Sequence, residues 1–197
     1  MHVADGILPA AWCVGAHAAA WTGVYGLGRH VGPGEVVRMG LLASTTFVIS
    51  LIQFPLGGTS IHLGLFGLTG ILLGKRAFPV IFATLLFQAL LFQHGGLLTL
   101  GLNSLNMGAG SLCAAGIWAI VKLPESLRAF LGGFAGAMLP AVLMGVEFAL
   151  AEYGKGFYFI AGLYLAVAAV EGLLTTMIVS FFRRVKPAIL IRDKGQF

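Results

Sequence analysis

A histidine directly follows the first methionine, in the stretch Met1-His2-Val3-Ala4-Asp5-Gly6. A terminal amine, the deprotonated main-chain nitrogen of residue 2 and the imidazole of residue 2 can close two fused chelate rings around one metal ion. These three nitrogen atoms lie nearly in one plane, so a fourth nitrogen would complete a square-planar site of the kind that Ni(II) and Cu(II) prefer. The opening of the chain therefore predicts a nitrogen-ligated metal site at Met1 and His2.

Two features favour a free amine at Met1. No basic residue precedes Arg29, so the chain lacks the positively charged region with which secretory signal peptides begin. The bulky side chain of His2 also disfavours removal of the initiator methionine, and we therefore expect residue 1 to be the mature terminus. The turn pair Asp5-Gly6 and a helix start at Pro9 would let the first residues fold back over the chain below them.

The other histidines are candidates for the fourth ligand, and their settings differ. His62 lies in the glycine-rich segment 57–64, and His94 is followed by two glycines. Neutral imidazole is a common metal ligand, so we expect His2 and His62 to bind the metal together, with His94 as a positioning or gating residue. His17 falls in the middle of an apolar stretch, where a buried histidine with one hydrogen-bond partner is the expected role.

The segments that must hold these histidines are strongly apolar. Hydrophobic residues make up 58% of the chain and charged residues 10%, and the mean hydropathy is +0.96; soluble proteins carry about a quarter charged residues. These values predict an all-α integral membrane protein that forms a single transmembrane domain over residues 1–197. The pI near 9.6 does not indicate a nucleic-acid partner, because the basic residues are few and are distributed by membrane side.

Membrane-spanning helices need roughly 20 apolar residues each, and the sequence predicts a bundle of about seven. The third and fourth are short and flanked by glycines, so irregular backbone is expected to enter the membrane there, where protein or water must cover it. The predicted spans are 9–28, 36–54, 60–74, 78–92, 103–121, 127–150 and 157–182.

The basic residues predict the orientation of the bundle. Eleven of the twelve lysines and arginines fall in alternate connections or in the C-terminal tail, and Lys155 is the exception. By the positive-inside rule the side that they share is the cytoplasm, which places the N-terminus outside and the C-terminus in the cytoplasm. His2, His62 and His94 then meet at the outer face of the plasma membrane.

A few polar residues are candidates for positioning the metal ligands. Asn103 and Asn106 lie three residues apart on one helix face, where they could orient a ligating imidazole; helix capping is a compatible role for Asn103. Ser60 belongs to the same glycine-rich segment as the second histidine. Glu147 and Glu171 lie within apolar spans, which marks them as functional candidates, but no spacing links them to the histidines, so we expect paired structural groups.

These segments resemble the membrane-embedded, substrate-binding component of energy-coupling-factor importers for cobalt and nickel, the group that includes CbiM and NikM. The resemblance extends over essentially the whole chain. It rests on Met1-His2 with Asp5-Gly6 and Leu8-Pro9, on 57–60 followed by His62-Leu63, on Gln88-Ala89 with Gly95-Gly96-Leu97, and on Leu100-Gly101 with Asn103, Asn106 and Met107.

The resemblance implies a transport subunit of a multi-pass importer in the plasma membrane, not an enzyme. It implies that the transported ion is held by the amine of Met1, by the main-chain nitrogen and imidazole of His2, and by His62, without a prosthetic group. It also implies a transmembrane coupling subunit and cytoplasmic ATPase subunits as partners, while any small accessory membrane subunit would be a separate chain. The absence of a Gly-x-x-x-x-Gly-Lys-Ser/Thr phosphate loop agrees with ATP hydrolysis elsewhere.

Two other functions stay open at this point. A stand-alone metal channel or ion-coupled carrier would need a polar pathway through the spans, which Glu147 and Glu171 alone do not make. An intramembrane serine protease could use Ser111, but no histidine is expected at a matching depth. The identity of the metal is also open: four planar nitrogens favour nickel, yet the Irving–Williams order separates nickel from cobalt only modestly.

Overall fold

The computed structural model describes residues 2–56, 59–153 and 156–190, in which helices predominate. Within these ranges, three helical stretches are long and apolar enough to cross a membrane: Phe66–Phe92, Glu125–Leu150 and Phe157–Val185. The helices are α1 (Ala10–Gly28), α2 (Pro33–Ser50), α3 (Phe66–Leu73), α4 (Ala77–Phe92), α5 (Leu100–Trp118), α6 (Glu125–Leu150) and α7 (Gly156–Val185); the strands are β1 (Gln53–Leu56) and β2 (Thr59–His62).

The predicted count of seven spanning helices is not confirmed. Helix α3 has eight residues, or about 12 Å, and cannot cross a hydrocarbon layer of about 30 Å alone. It is joined to α4 through the 3-10 turn Gly74–Arg76, so six helices of sixteen or more residues remain in the described ranges. The orientation of the two termini stays a prediction.

The expected irregular backbone is a short antiparallel hairpin in front of α3. The predicted third span, 60–74, therefore begins as strand β2 rather than as helix. Gln53 pairs with His62 and Leu56 with Thr59, so the main-chain groups on the facing edges of the two strands bond to each other. The hairpin ends at His62, so the fold places this histidine immediately before the start of α3.

Glycines allow α3, α5 and α6 to pack closely. A Cβ atom on Gly136 of α6 would collide with the main chain of Gly67 in α3, and one on Gly70 would collide with the main chain of Ser111 in α5. Small residues at such crossings let membrane helices approach at backbone distance. The short helix α3 is thus held rigidly between α5 and α6.

The arginines tie several helix ends together at one end of the bundle, which we call the basic end. The guanidinium of buried Arg76 donates to the carbonyl oxygens of Leu27, Arg29 and His30 at 2.7 to 3.0 Å. It also pairs with Glu35 at 3.4 Å. These bonds connect the end of α1, the start of α2 and the turn before α4.

Candidate metal-binding site

Three histidines from three separate segments meet in the interior. His2 comes from the N-terminal segment, His62 ends β2 and His94 follows α4; their candidate ligand atoms all lie within 4.8 Å of one another. The side chains are 4%, 4% and 7% exposed. His94, expected only as a positioning or gating residue, is part of the cluster itself, with its ring centre 4.0 Å from that of His2. Met1, the predicted amine ligand, lies outside the described residues.

A chain of hydrogen bonds determines which nitrogen of His2 carries the proton. The Ser50 hydroxyl donates to the carbonyl oxygen of Thr46 at 2.7 Å, so its oxygen accepts from the Gln88 side-chain amide. The oxygen of that amide therefore faces His2, 3.1 Å from Nε2. Since an amide oxygen only accepts, His2 carries its proton on Nε2, and Nδ1 keeps a lone pair.

His62 is oriented in the same way by the main chain. Its Nδ1 lies 3.1 Å from the carbonyl oxygen of Leu63 and must donate to it, which leaves a lone pair on Nε2. This Nε2 atom lies 3.1 Å from Nδ1 of His2, so two lone pairs face each other. A metal ion with bonds of about 2.0–2.1 Å holds neighbouring nitrogen ligands roughly 3 Å apart, and the pair matches that spacing.

Burial keeps these imidazoles neutral. Removal from water lowers the pKa of His2 and of His62 well below the ordinary value, and it lowers the pKa of His94 to about 4. The charged form of a histidine is disfavoured in such surroundings, whereas the neutral form is the one that binds a metal. All three rings are therefore available as ligands at neutral pH.

The main chain next to His2 is bound to α5. The side chain of Asn103 accepts from the Val3 N–H at 2.8 Å and donates to the Val3 carbonyl oxygen at 2.9 Å. The Thr99 hydroxyl also donates to that carbonyl oxygen, at 2.8 Å, and Val3 is fully buried. Asn103, predicted to orient an imidazole, thus holds the main chain beside one.

Asp5 gives the N-terminal segment a second attachment. Its carboxylate accepts from the main-chain N–H of Thr99 at 2.9 Å and of Leu98 at 3.2 Å. These groups precede α5, where the helix dipole favours a negative charge. Gly96, with φ of +149°, passes so close to Asp5 that a Cβ atom would collide with the carboxylate. We call residues 2–9 with these attachments the N-terminal arm.

Glu147 and Glu171, the two carboxylates predicted to lie within apolar spans, both have hydrogen-bond donors. Asn106 donates from its amide to Glu147 at 2.9 and 3.0 Å. Glu171 of α7 accepts from the main-chain N–H groups of Gly64, at 2.6 Å, and Leu65, at 3.0 Å. Because these two residues follow the second site histidine closely, Glu171 connects α7 to the site, a link that sequence spacing did not reveal.

Two remaining candidates have partners away from the cluster. The hydroxyl of Ser111, the nucleophile of the alternative protease function, donates to the carbonyl oxygen of Phe66 at 2.8 Å. The Nε2 atom of His17 lies 2.9 Å from the carbonyl oxygen of Leu97, so this histidine binds the segment before α5. The side chain of Ser60 lies outside the described part of the structure.

Sequence reasoning assigned no site role to four residues that support the site, although two of them belong to the motifs that carried the resemblance; the four are Ser50, Gln88, Thr99 and Asp5. Only Gln88 carried a clear signal, since a polar amide within the apolar stretch 78–92 is costly in a membrane unless it is bonded. The others are small or lie near helix ends, where such residues are common. Their roles depend on contacts across the fold.

Comparison with known proteins gives consistent matches over nearly the full chain. Residues 2–189 match the model of the CbiM family, described as a cobalt uptake substrate-specific transmembrane region. The cobalt transport protein CbiM of Thermosediminibacter oceani is 32% identical, over 91% of this chain and 83% of that protein. A fused cobalt transport protein CbiMQ of Methanocorpusculum labreanum is 32% identical, over 97% of this chain and 36% of that protein. The crystal structure of a transition metal transporter superimposes with a TM-score of 0.84 at 26% identity, over 94% of this chain and 93% of that one.

Proposed function

Since the chain belongs to the CbiM family, we propose that it binds a divalent transition metal ion, cobalt or nickel, and serves its import across the plasma membrane. In this proposal it is the substrate-specificity subunit of an importer of the energy-coupling-factor type. The metal is the transported substrate and not a resident cofactor. The relatives are named as cobalt transport proteins, and the local chemistry of the histidine cluster is compatible with both metals.

One observation carries the proposal: Nδ1 of His2 and Nε2 of His62 face each other at 3.1 Å, each with a lone pair. Neither imidazole ring can rotate to turn its lone pair away, because the rotation would break the hydrogen bond that the second nitrogen of the same ring makes. A cation between them removes the repulsion of the lone pairs. Such an arrangement prepares the site for a metal before the metal arrives.

We propose that the amine of Met1 and the main-chain nitrogen of His2 supply the other two ligands. Both atoms belong to the same terminus that places Nδ1 of His2 in the site, so they reach the metal through five- and six-membered chelate rings. His62 then binds opposite the main-chain nitrogen and completes the plane. His94, beside this plane, would limit access to it or offer an axial nitrogen.

Partner chains would provide the energy for import. The sequence has no phosphate loop, so hydrolysis of ATP belongs to cytoplasmic ATPase subunits in this proposal. The fused CbiMQ protein of Methanocorpusculum labreanum is much longer than this chain, and it supports a second membrane component as the coupling subunit. A stand-alone channel or carrier would transport metal without either partner.

A one-residue extension in front of Met1 tests the proposed chelate. The added residue turns the amine into an amide and displaces it, although no side chain changes, so cobalt affinity should fall by at least about 100-fold. A one-residue extension at the C-terminus is the matched control and should bind normally. Calorimetry of the purified protein measures affinity, and size-exclusion chromatography checks folding.

A site built from three imidazoles is the competing arrangement, because His94 lies in the same cluster. It predicts normal affinity for the N-terminally extended protein and a large loss for His94→Ala. The chelate predicts the reverse order. Unchanged affinity in His62→Ala would contradict both arrangements and with them the proposed site, whereas side-by-side titrations with Co²⁺ and Ni²⁺ identify the preferred metal.

A further inference from the structure

A groove of about 470 Å³ opens at the basic end, between α2 and the end of α7. Helix α2 packs mainly on α4, and α7 mainly on α6, so the two helices leave a gap. The 3-10 turn Pro187–Ile189 bounds the gap, because Arg38 donates to the Ile189 carbonyl oxygen at 3.0 Å. The residues that define the groove are Arg38, Leu42 and Thr45 of α2, Leu72 of α3, and Phe182 and Lys186 of the last helix and its end.

The groove changes from cationic to apolar along its length. Arg38 and Lys186 stand at the basic end, and Thr45 lies seven residues further along α2, which is about 10 Å deeper. Between them the surface is formed by the apolar side chains of Leu42, Leu72 and Phe182. A ligand that fits must carry a negative charge at one end and a hydrocarbon chain at the other.

Within the described ranges neither Arg38 nor Lys186 forms an ion pair, although Arg38 lies near enough to Glu35 to contribute to the lowered pKa of that carboxylate. The ion pairs found there join Glu35 to Arg76 and Glu125 to Arg183, and neither involves Arg38 or Lys186. Basic clusters at the cytoplasmic side of helix bundles attract anionic lipid headgroups. The positive charge of the groove and the predicted cytoplasmic position of this end therefore both favour an anionic lipid as the ligand.

We propose that the groove binds one anionic glycerophospholipid. Its phosphate lies between Arg38 and Lys186, and one acyl chain lies on Leu42, Leu72 and Phe182. The lipid fills the space that α2 and α7 leave between them and thereby joins two helices that pack on different neighbours. This site is separate from the histidine cluster, so it does not depend on the proposed metal chemistry.

Native mass spectrometry of the full-length protein tests the charge requirement. In neutral detergent we expect one dioleoylphosphatidylglycerol per chain, and much weaker retention of dioleoylphosphatidylcholine. The double variant Arg38→Gln/Lys186→Gln should bind phosphatidylglycerol about tenfold to thirtyfold more weakly, and Arg38→Lys should retain binding. The matched control Arg29→Gln/Arg184→Gln removes the same charge at the same end outside the groove and should keep its affinity within about threefold.

A variant that fills the groove tests the acyl-chain requirement. Thr45→Trp, or Thr45→Phe if the larger residue prevents folding, keeps both charges and should lower phosphatidylglycerol affinity at least about tenfold. Glycerol 3-phosphate, which lacks the chains, should not compete. Unchanged lipid binding in a folded Thr45 variant, or competition by glycerol 3-phosphate, would mean a headgroup or acidic-peptide site and would overturn the proposal. An equal loss in the control double variant would also overturn it, as unspecific charge attraction.

Discussion

Gln88 accepts a hydrogen bond from His2, with 3.1 Å between the amide oxygen and Nε2. The bond joins an amide inside α4 to the histidine that opens the chain. The bond holds the proton of His2 on Nε2 and leaves the lone pair on Nδ1, the atom that we propose as a metal ligand. Groups that orient a metal ligand commonly change metal affinity 10- to 100-fold when they are removed.

Replacement of Gln88 by leucine should therefore lower cobalt affinity about 10- to 100-fold while the fold is retained. Thr84→Val is the matched control, since this buried hydroxyl on the same helix bonds to the carbonyl oxygen of Val80 and lies outside the site. Isothermal titration calorimetry of both variants gives the comparison. An equal loss in both would indicate a general disturbance of α4 rather than a role in ligation.

The pH dependence of metal affinity should separate the amine chelate from an imidazole site. Burial already keeps His2 and His62 neutral near pH 7, so the protons displaced by the metal come from the amine and the main-chain amide. Affinity should fall about tenfold to 100-fold for each pH unit below neutrality. Competition titrations between pH 5.5 and 8 measure this slope, and a flat profile would rule out ligation by the amine and amide.

The metal-free protein should become less stable as the pH falls below about 6.5. Unfolded histidines titrate near this value, whereas burial lowers the pKa of the folded site histidines, with His94 at about 4. The unfolded state then binds more protons than the folded state, so acid favours unfolding.

Melting temperatures between pH 7.5 and 5 measure this effect, with several degrees of decrease expected. His94→Asn should reduce the slope, because it removes one of the buried site histidines. Higher stability at pH 5 than at pH 7.5 would contradict the prediction.

Glu171 should be required for the shape of the segment that holds His62. Glu171→Ala removes the acceptor of two buried N–H groups, at a cost of about 1–3 kcal/mol for each. Glu171→Gln keeps one acceptor oxygen, so stability and cobalt affinity should follow the order wild type, Gln, Ala. Thr175→Val, one helical turn away, should resemble the wild type in stability and cobalt affinity. If it lowered both as much as Glu171→Ala does, the effect could not be attributed to the Glu171 carboxylate.

Gly96→Ala should detach the N-terminal arm. A methyl group at this position collides with the Asp5 carboxylate, so the bonds from Asp5 to the start of α5 are lost and cobalt affinity falls at least about tenfold. A methyl group on Gly15 would meet nothing within 4 Å, which makes Gly15→Ala the control. Normal binding by Gly96→Ala would show that the arm reaches the site without this attachment.

The sequence could predict those parts of the site that are local or chemically distinctive. His2 stands out by its place behind Met1 and His62 by its glycine-rich segment, and the structure brings these two histidines together. The amine chelate at Met1 stays a prediction. On α4 the sequence marks a polar face only through Gln88 and Thr84, and it does not show that the partner of Gln88 is a histidine 86 residues away in the chain. Strand β2 was not predicted because its sequence continues into the apolar run of α3, and a short apolar run does not distinguish a strand from a helix.

The attachment of Val3 to Asn103 has a consequence for biosynthesis, because the two partners are one hundred residues apart in the chain. At about 5–20 residues per second, the first residues are made roughly 5 to 20 s before their anchor. During this interval several helices enter the membrane, while the N-terminal segment cannot yet form its hydrogen bond with Asn103. The segment that is translated first therefore stays unattached until about half of the chain has been made, and only α6 and α7 follow after that point.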